Sequence, residues 1–374
     1  MTPSAECRHS VADQLAAASR RVPTLTAFVG LDGFVDEILH VVDKRQSATQ
    51  YDRLRTIADF AQRLAAAAGR STNIELVNIM TKLGGNGPIM ANALANFGMK
   101  VSYLGALGYP ALHPVFNEFA HRAEVATLCG PGFTDALEFD DGKLMVGKHY
   151  SLADVTWNNI VTRFGREKFT ARFASSDLVA FVNWTMLPFM SDIWESIQRE
   201  LLPSLRGPRR KIFFDLADPE KRVPADIRRA LELIRQFESH FDVMLGLNEK
   251  EALEIGAVLG LSRPSASPEG LVELSMEIQK RSGVSTLVVH PVSYALVVSA
   301  GKADLVEGPL CTRPKITTGA GDHFNSGFCL GKLLGFDNAA AALTGCCTSG
   351  HYVRTAQSPS VQDLVHLLQH WPTT

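Results

Sequence analysis

The sequence predicts an α/β fold, a three-layer arrangement with a mainly parallel sheet covered by helices on both faces and a small β appendage. Three observations lead there. Short apolar runs without polar alternation recur along the 374 residues, as expected of strands buried on both faces. Each is followed by a stretch of helical spacing, the order that gives parallel strands joined by crossover helices. One region, 123–148, breaks this alternation and reads as a hairpin.

The strands expected on this pattern cover 24–30 (TLTAFVG), 101–107, 177–182, 211–215, 242–245 and 286–289, and the helices 51–68, 88–97, 192–205, 225–237, 249–259 and 268–281. Within 123–148 the turn Gly130-Pro131-Gly132 precedes the strand-like 136–139. The turn Asp140-Asp141-Gly142 then leads into 143–146. Residues 1–20 are expected to form a loose N-terminal extension, and 21–374 a single body. Thirty-seven basic against 39 acidic residues leave a formal charge of −2, so no global basic field exists to hold nucleic acid or an anionic membrane. The six cysteines form no C-x-x-C pair, and the N-terminus lacks the apolar run of a signal peptide. A cytoplasmic protein with no membrane partner is the expectation. Walker-type phosphate loops, complete dinucleotide fingerprints, zinc-protease motifs and nucleophile elbows are all absent.

Chemistry concentrates in 316–335, ITTGAGDHFNSGFCLGKLLG. Gly319, Ala320 and Gly321 precede a helical run, and small residues there leave backbone N–H groups open at a helix N-terminus, where an anion is favoured. Asp322 would repel that anion unless a hydroxyl proton needs a receiver during phosphoryl transfer. Taken alone, Asp322 reads as readily as a helix cap.

Gly-Ala-Gly-Asp after two threonines, followed by His-Phe-Asn-Ser-Gly, resembles the C-terminal signature of the ribokinase-like (PfkB) carbohydrate kinases. The segment 82–98, KLGGNGPIMANALANFG, is similar to that family's N-terminal signature, and 245–252, LGLNEKEA, to its Asn-x-x-Glu element. The similarity runs from about residue 24 to 360 with the motifs in order. It implies an ATP-dependent phosphotransferase acting on a hydroxyl of a small sugar or sugar derivative, with Asp322 as base and the Gly319, Ala320 and Gly321 N–H groups as anion hole. By the same resemblance Gly84, Gly85, Asn86 and Asp32 or Asp36 bind substrate, with Asp36 favoured on spacing. Asn248, Thr318, Gly319 and Gly321 face the nucleotide, Glu251 orients Mg²⁺ through water, and Asp215 lies near the nucleotide. The hairpin becomes part of a β lid from about 33–45 and 109–150, and lids in this family often join a homodimer.

Departures from the family pattern are also legible. Ile89 stands where an Asn is often found, and His290-Pro291-Val292 replaces the usual Thr-x-Gly beside the nucleotide. Ile316 and Ala356 occupy positions associated with a monovalent cation, so little dependence on K⁺ is expected. The stretch 51–68 is an extra segment. A nucleoside kinase and a catalytically silent sugar-binding protein on the same fold are the alternatives.

Overall fold

A computed structural model of the protein describes residues 3–372. Its strands are β1 (Thr26–Leu31), β2 (Phe34–Arg45), β3 (Tyr51–Arg53), β4 (Leu76–Gly84), β5 (Lys100–Gly105), β6 (Glu124–Thr127), β7 (Gly132–Phe139), β8 (Gly142–Lys148), β9 (Leu178–Phe181), β10 (Arg210–Asp215), β11 (Phe241–Leu247), β12 (Thr286–Val289), β13 (Tyr294–Ser299) and β14 (Lys302–Glu307). Nine of them form the body sheet in the order β14-β13-β12-β11-β10-β9-β1-β5-β6. Pairing is parallel from β12 through to β6, and the β13–β14 hairpin closes the other edge antiparallel.

Side chains of a strand alternate between the faces of its sheet, and here both faces are apolar. Phe28, Val179, Phe181, Ile212 and Phe214 belong to one buried cluster, while Ala27, Val29, Leu178, Ala180 and Phe213 belong to the other. The helices Arg166–Ser175, Met190–Glu200, Pro224–Gln236, Glu249–Val258 and Pro268–Ser282 cover the first face. Asn86–Asn96, Ala320–Leu334, Asn338–Thr355 and Val361–Gln369 cover the second. The six expected strands and the expected helices after residue 80 are all present within a few residues.

Three expectations need correction. The N-terminal extension is not loose over its helix Ala5–Ala18, whose Val11, Ala12 and Leu15 are buried in the second cluster. The helix expected over 51–68 is instead β3, a connection, and a shorter helix, Ile57–Ala66, capped by the Thr56 hydroxyl on the Asp59 N–H (3.0 Å). That helix packs on the lid, where Phe60 stacks on Phe139 beside Leu39, Val41 and Leu137. The lid also divides differently. Strand β6 joins the body sheet, whereas β2, β3, β4, β7 and β8 make the separate five-stranded sheet. Its segments are therefore 34–84 and 132–148.

Candidate active site

The Ala320–Leu334 helix begins at Gly319, whose φ of 92° is open to glycine at little cost. Among the described residues, the N–H groups of Gly319, Gly321 and Asp322 find no acceptor, while that of Ala320 bonds to the Thr317 carbonyl (3.1 Å). Asp322 sits in the first turn, only 6% exposed. It does not cap the helix: the N-cap has no side-chain hydrogen bond, and the Asp322 carboxylate instead accepts from Asn86 Nδ2 (2.9 Å). Burial pushes its pKa well above the usual carboxylate range, and the negative charges of Asp215, Asp32 and Glu251 push the same way against the Asn86 hydrogen bond. A carboxylate so destabilised is a strong proton acceptor.

The lid approaches this turn through the start of β2. Asp36 lies in register with Lys82 on β4 and Thr134 on β7, which in turn opposes Gly147 on β8. Residues directly opposed across strands share a face, so Lys82, Asp36 and Thr134 form one polar row. The next row on that face, Met80, Ile38, Ala136 and Met145, is apolar. Gly84 is required for space: a Cβ there would stand 2.4 Å from the Asp36 carboxylate. Burial raises the Asp36 pKa, opposed by Lys82, Thr134 and Lys143.

The two aspartates after β1 part company. Asp36 lines a cavity; Asp32 has no exposed surface and accepts from the Gly87 N–H (2.9 Å), Asn183 Nδ2 (2.8 Å) and Tyr103 OH (3.2 Å). Burial lifts its pKa to about 6 against those donors. Asp32 thus fastens the Gly85–Gly87 turn from inside. Gly85, at φ 94°, forms the N-cap of the Asn86–Asn96 helix.

Two cavities meet at the Thr317–Asp322 turn. One, about 360 Å³, is bordered by Asn248, His290, Gly308, Ala320, Gly321 and Phe324. The other, about 260 Å³, is bordered by Asp36, Asn86, Thr134, His149, Gly319 and Asp322. The structure gathers Asp36, Gly85, Asn86, Thr318, Gly319 and Asp322 at the second cavity, and Asn248, Ala320 and Gly321 at the first. His290, in the departure noted above, packs its ring on Phe324 with centroids 4.6 Å apart. Glu251 borders neither cavity. Its oxygens accept from the N–H groups of Asn248 (2.8 Å) and Asp218 (2.9 Å), closing a capping box. Burial, then Asp215, raises its pKa to about 7. Asp215 accepts from Asn325 Nδ2 and the Ala217 N–H.

Sequence reasoning missed Lys82, His149, Asn183 and Lys221. The last three border the second cavity, and Lys82 opposes Asp36 in register. A strand pattern ending at Gly84 would have exposed the Lys82 pairing; the other three carry no local signal.

The family model for prokaryotic ketohexokinase matches residues 4–371. The chain belongs to that family. Among individual relatives, a ketohexokinase from Haloferax volcanii is 29% identical over 360 residues, covering 96% of this chain and 92% of that one. Two solved structures share the fold. Ribokinase from Arabidopsis thaliana, complexed with ribose and ATP, superposes with a TM-score of 0.63 at 14% identity over 92% of this chain and 98% of that one. Phosphofructokinase-2 from Escherichia coli gives 0.62 at 13% over 93% and 99%. As a member of the prokaryotic ketohexokinase family, the chain is a carbohydrate kinase of the ribokinase-like type that phosphorylates a sugar hydroxyl from ATP. Neither a nucleoside kinase nor a silent binding protein is favoured. Among the described residues no helix is long and apolar enough to cross a membrane.

Proposed function

We propose that this kinase phosphorylates a ketohexose at a primary hydroxyl, with Asp322 as the general base. The observation that carries the proposal is the position of the Thr317–Asp322 turn as the shared wall of the two cavities. ATP occupies the first, with its phosphates reaching the free N–H groups of Gly319 and Gly321, and the sugar occupies the second. Asp36 and Asn86 take sugar hydroxyls, since a carboxylate accepts two vicinal O–H donors and an amide does both. Asp322 receives the proton as the oxygen attacks the γ-phosphorus. The N–H groups hold the charge that gathers on the transferring group. The lid keeps out water, the competing acceptor.

Mg²⁺ fits this site through phosphates and water. Among the described residues no three His, Cys, Asp or Glu side chains converge as a direct metal cage. Asp215 nevertheless raises the pKa of Glu251, and both raise that of Asp322, an excess of negative charge that a hydrated dication relieves. Bound there, the ion would neutralise phosphate charge, with Asn248 at the cavity wall orienting its waters and Glu251 holding the Asn248 backbone in place. A cytoplasmic setting accords with six free cysteines, and a homodimer through the lids accords with the exposed Leu76, Ile79, Met80 and Val146.

The test is ATP consumption with a panel of fructose, other ketohexoses, aldoses, ribose and adenosine, followed by identification of the product. Fructose or another ketohexose should give the highest kcat/KM and a phosphomonoester at a primary carbon. A clear preference for an aldose or for adenosine would overturn the assignment.

A further inference from the structure

Beside the Thr317–Asp322 turn, with Ile89 between it and the second cavity, lies a third cavity of about 760 Å³ bordered by His323, Tyr352 and Ser358. On this side two carbonyls of the turn are held by side chains. The Tyr352 hydroxyl donates to the Thr318 carbonyl (3.0 Å). His323 Nδ1 lies 2.7 Å from the Gly319 carbonyl, which also accepts the His323 backbone N–H (3.1 Å). Because a carbonyl cannot donate, Nδ1 carries the proton, and Nε2 accepts from the Ser358 hydroxyl (2.9 Å). The rings of His323 and Tyr352 stack at 3.6 Å and 12°, so neither can swing without the other. A Cβ on Gly319 would already come within 3.4 Å of the Tyr352 hydroxyl and 3.3 Å of Ile89.

A trans peptide is planar, with its N–H opposite its C=O. Fixing the Thr318 carbonyl therefore fixes the direction of the free Gly319 N–H, while fixing the Gly319 carbonyl keeps the Ala320 N–H on the Thr317 carbonyl and so holds the turn closed. We infer that Tyr352 and His323 are positioning residues: Tyr352 aims the Gly319 N–H that receives the transferring phosphoryl group, and His323 holds closed the turn that presents it. The inference rests on the anion-hole reading of this turn. Both groups keep their roles across the working range of pH, since burial holds the phenol at about 12 and the imidazole at about 4. Preorganised donors act mainly in the transition state. Their supports should therefore govern kcat and leave ground-state affinity alone.

Three substitutions separate this from simple packing. Tyr352→Phe keeps the ring stack and removes the hydroxyl. His323→Asn sets an amide N–H where Nδ1 stood, whereas His323→Gln sets it nearer Nε2 and abandons Gly319. We expect Tyr352→Phe and His323→Gln to lower kcat roughly tenfold or more, with KM for sugar and ATP held within about twofold and melting temperature little changed. His323→Asn should restore most of the turnover. Amide hydrogen exchange across 317–323 should quicken in Tyr352→Phe and His323→Gln and stay slow in His323→Asn. Unchanged kcat in Tyr352→Phe and His323→Gln, or an equal loss in all three variants, would overturn the inference. If the unaltered protein phosphorylates no sugar, the functional reading fails by itself. Exchange still decides the brace then, and unaltered protection of 317–323 in Tyr352→Phe would rule it out.

Discussion

The body sheet and the lid sheet contribute to the same site under different constraints. In β9 and β12 every residue is buried, and packing fixes them from both faces. In β4, only Gly84 of nine residues is buried; β2 and β7 bury more of theirs, but apart from Phe34 and Val35, which join the body's clusters, the lid's own core is a small cluster around Phe60 and Phe139. Asp322 belongs to the first kind of structure and Asp36 to the second. Few apolar contacts make for low local stability, so the lid suits reversible sugar binding. The body suits a base whose position must not vary. Chemistry and recognition should accordingly separate by region.

The largest effect that tests this division is expected at Asp322. Asp322→Asn keeps the shape but cannot receive a proton, so kcat should fall by about 10²–10⁴. Its folded pKa is raised, so stability associated with the carboxyl is present at low pH and lost as pH rises through that value. At pH 8 the variant should therefore melt no lower than the unaltered protein. Preserved turnover with a lowered melting temperature would assign Asp322 to structure and erase the contrast. Asp36→Asn should act on binding: a lost charge-assisted hydrogen bond corresponds to about 10- to 100-fold in sugar KM, with a smaller change in kcat. A loss confined to kcat would place the lid in the chemistry as well. The subtlest test is the acid limb of kcat/KM. Asp322 must be ionised to work, so activity should fall as pH drops, at a pH above the ordinary carboxylate value of about 4. Asp36→Asn should keep that limb. Its disappearance there would assign it to the lid.

The same contrast explains what could be read beforehand. Doubly buried strands write themselves as unbroken apolar runs, which is why TLTAFVG and KIFFD were legible, and the turn chemistry of Gly319–Asp322 is local. Strand β4, with Leu76, Ile79 and Met80 exposed, has no period-two pattern against a core. Its Lys82, the register partner of Asp36, was therefore hidden. Asp32 and Asp36 are both buried and differ in that a cavity reaches only Asp36, and four residues of spacing cannot say which one is sealed behind Asn183. The brace of Tyr352 on Thr318 joins segments 34 residues apart, a contact that sequence spacing does not encode. In the N-terminal helix, too, the buried stripe is short: Val11, Ala12 and Leu15 sit among polar and alanine positions.

The hydrogen bond from Asn86 to Asp322 joins residues 236 positions apart. Synthesis runs from the N-terminus, and domains take shape as segments emerge, so the sugar-binding half of the site is made long before its base. On the proposed reading of the site, a nascent chain that ends before the Ala320–Leu334 helix has neither anion hole nor base. The late, long-range closure required for native pairing thus makes completion of the chain the condition for catalytic competence.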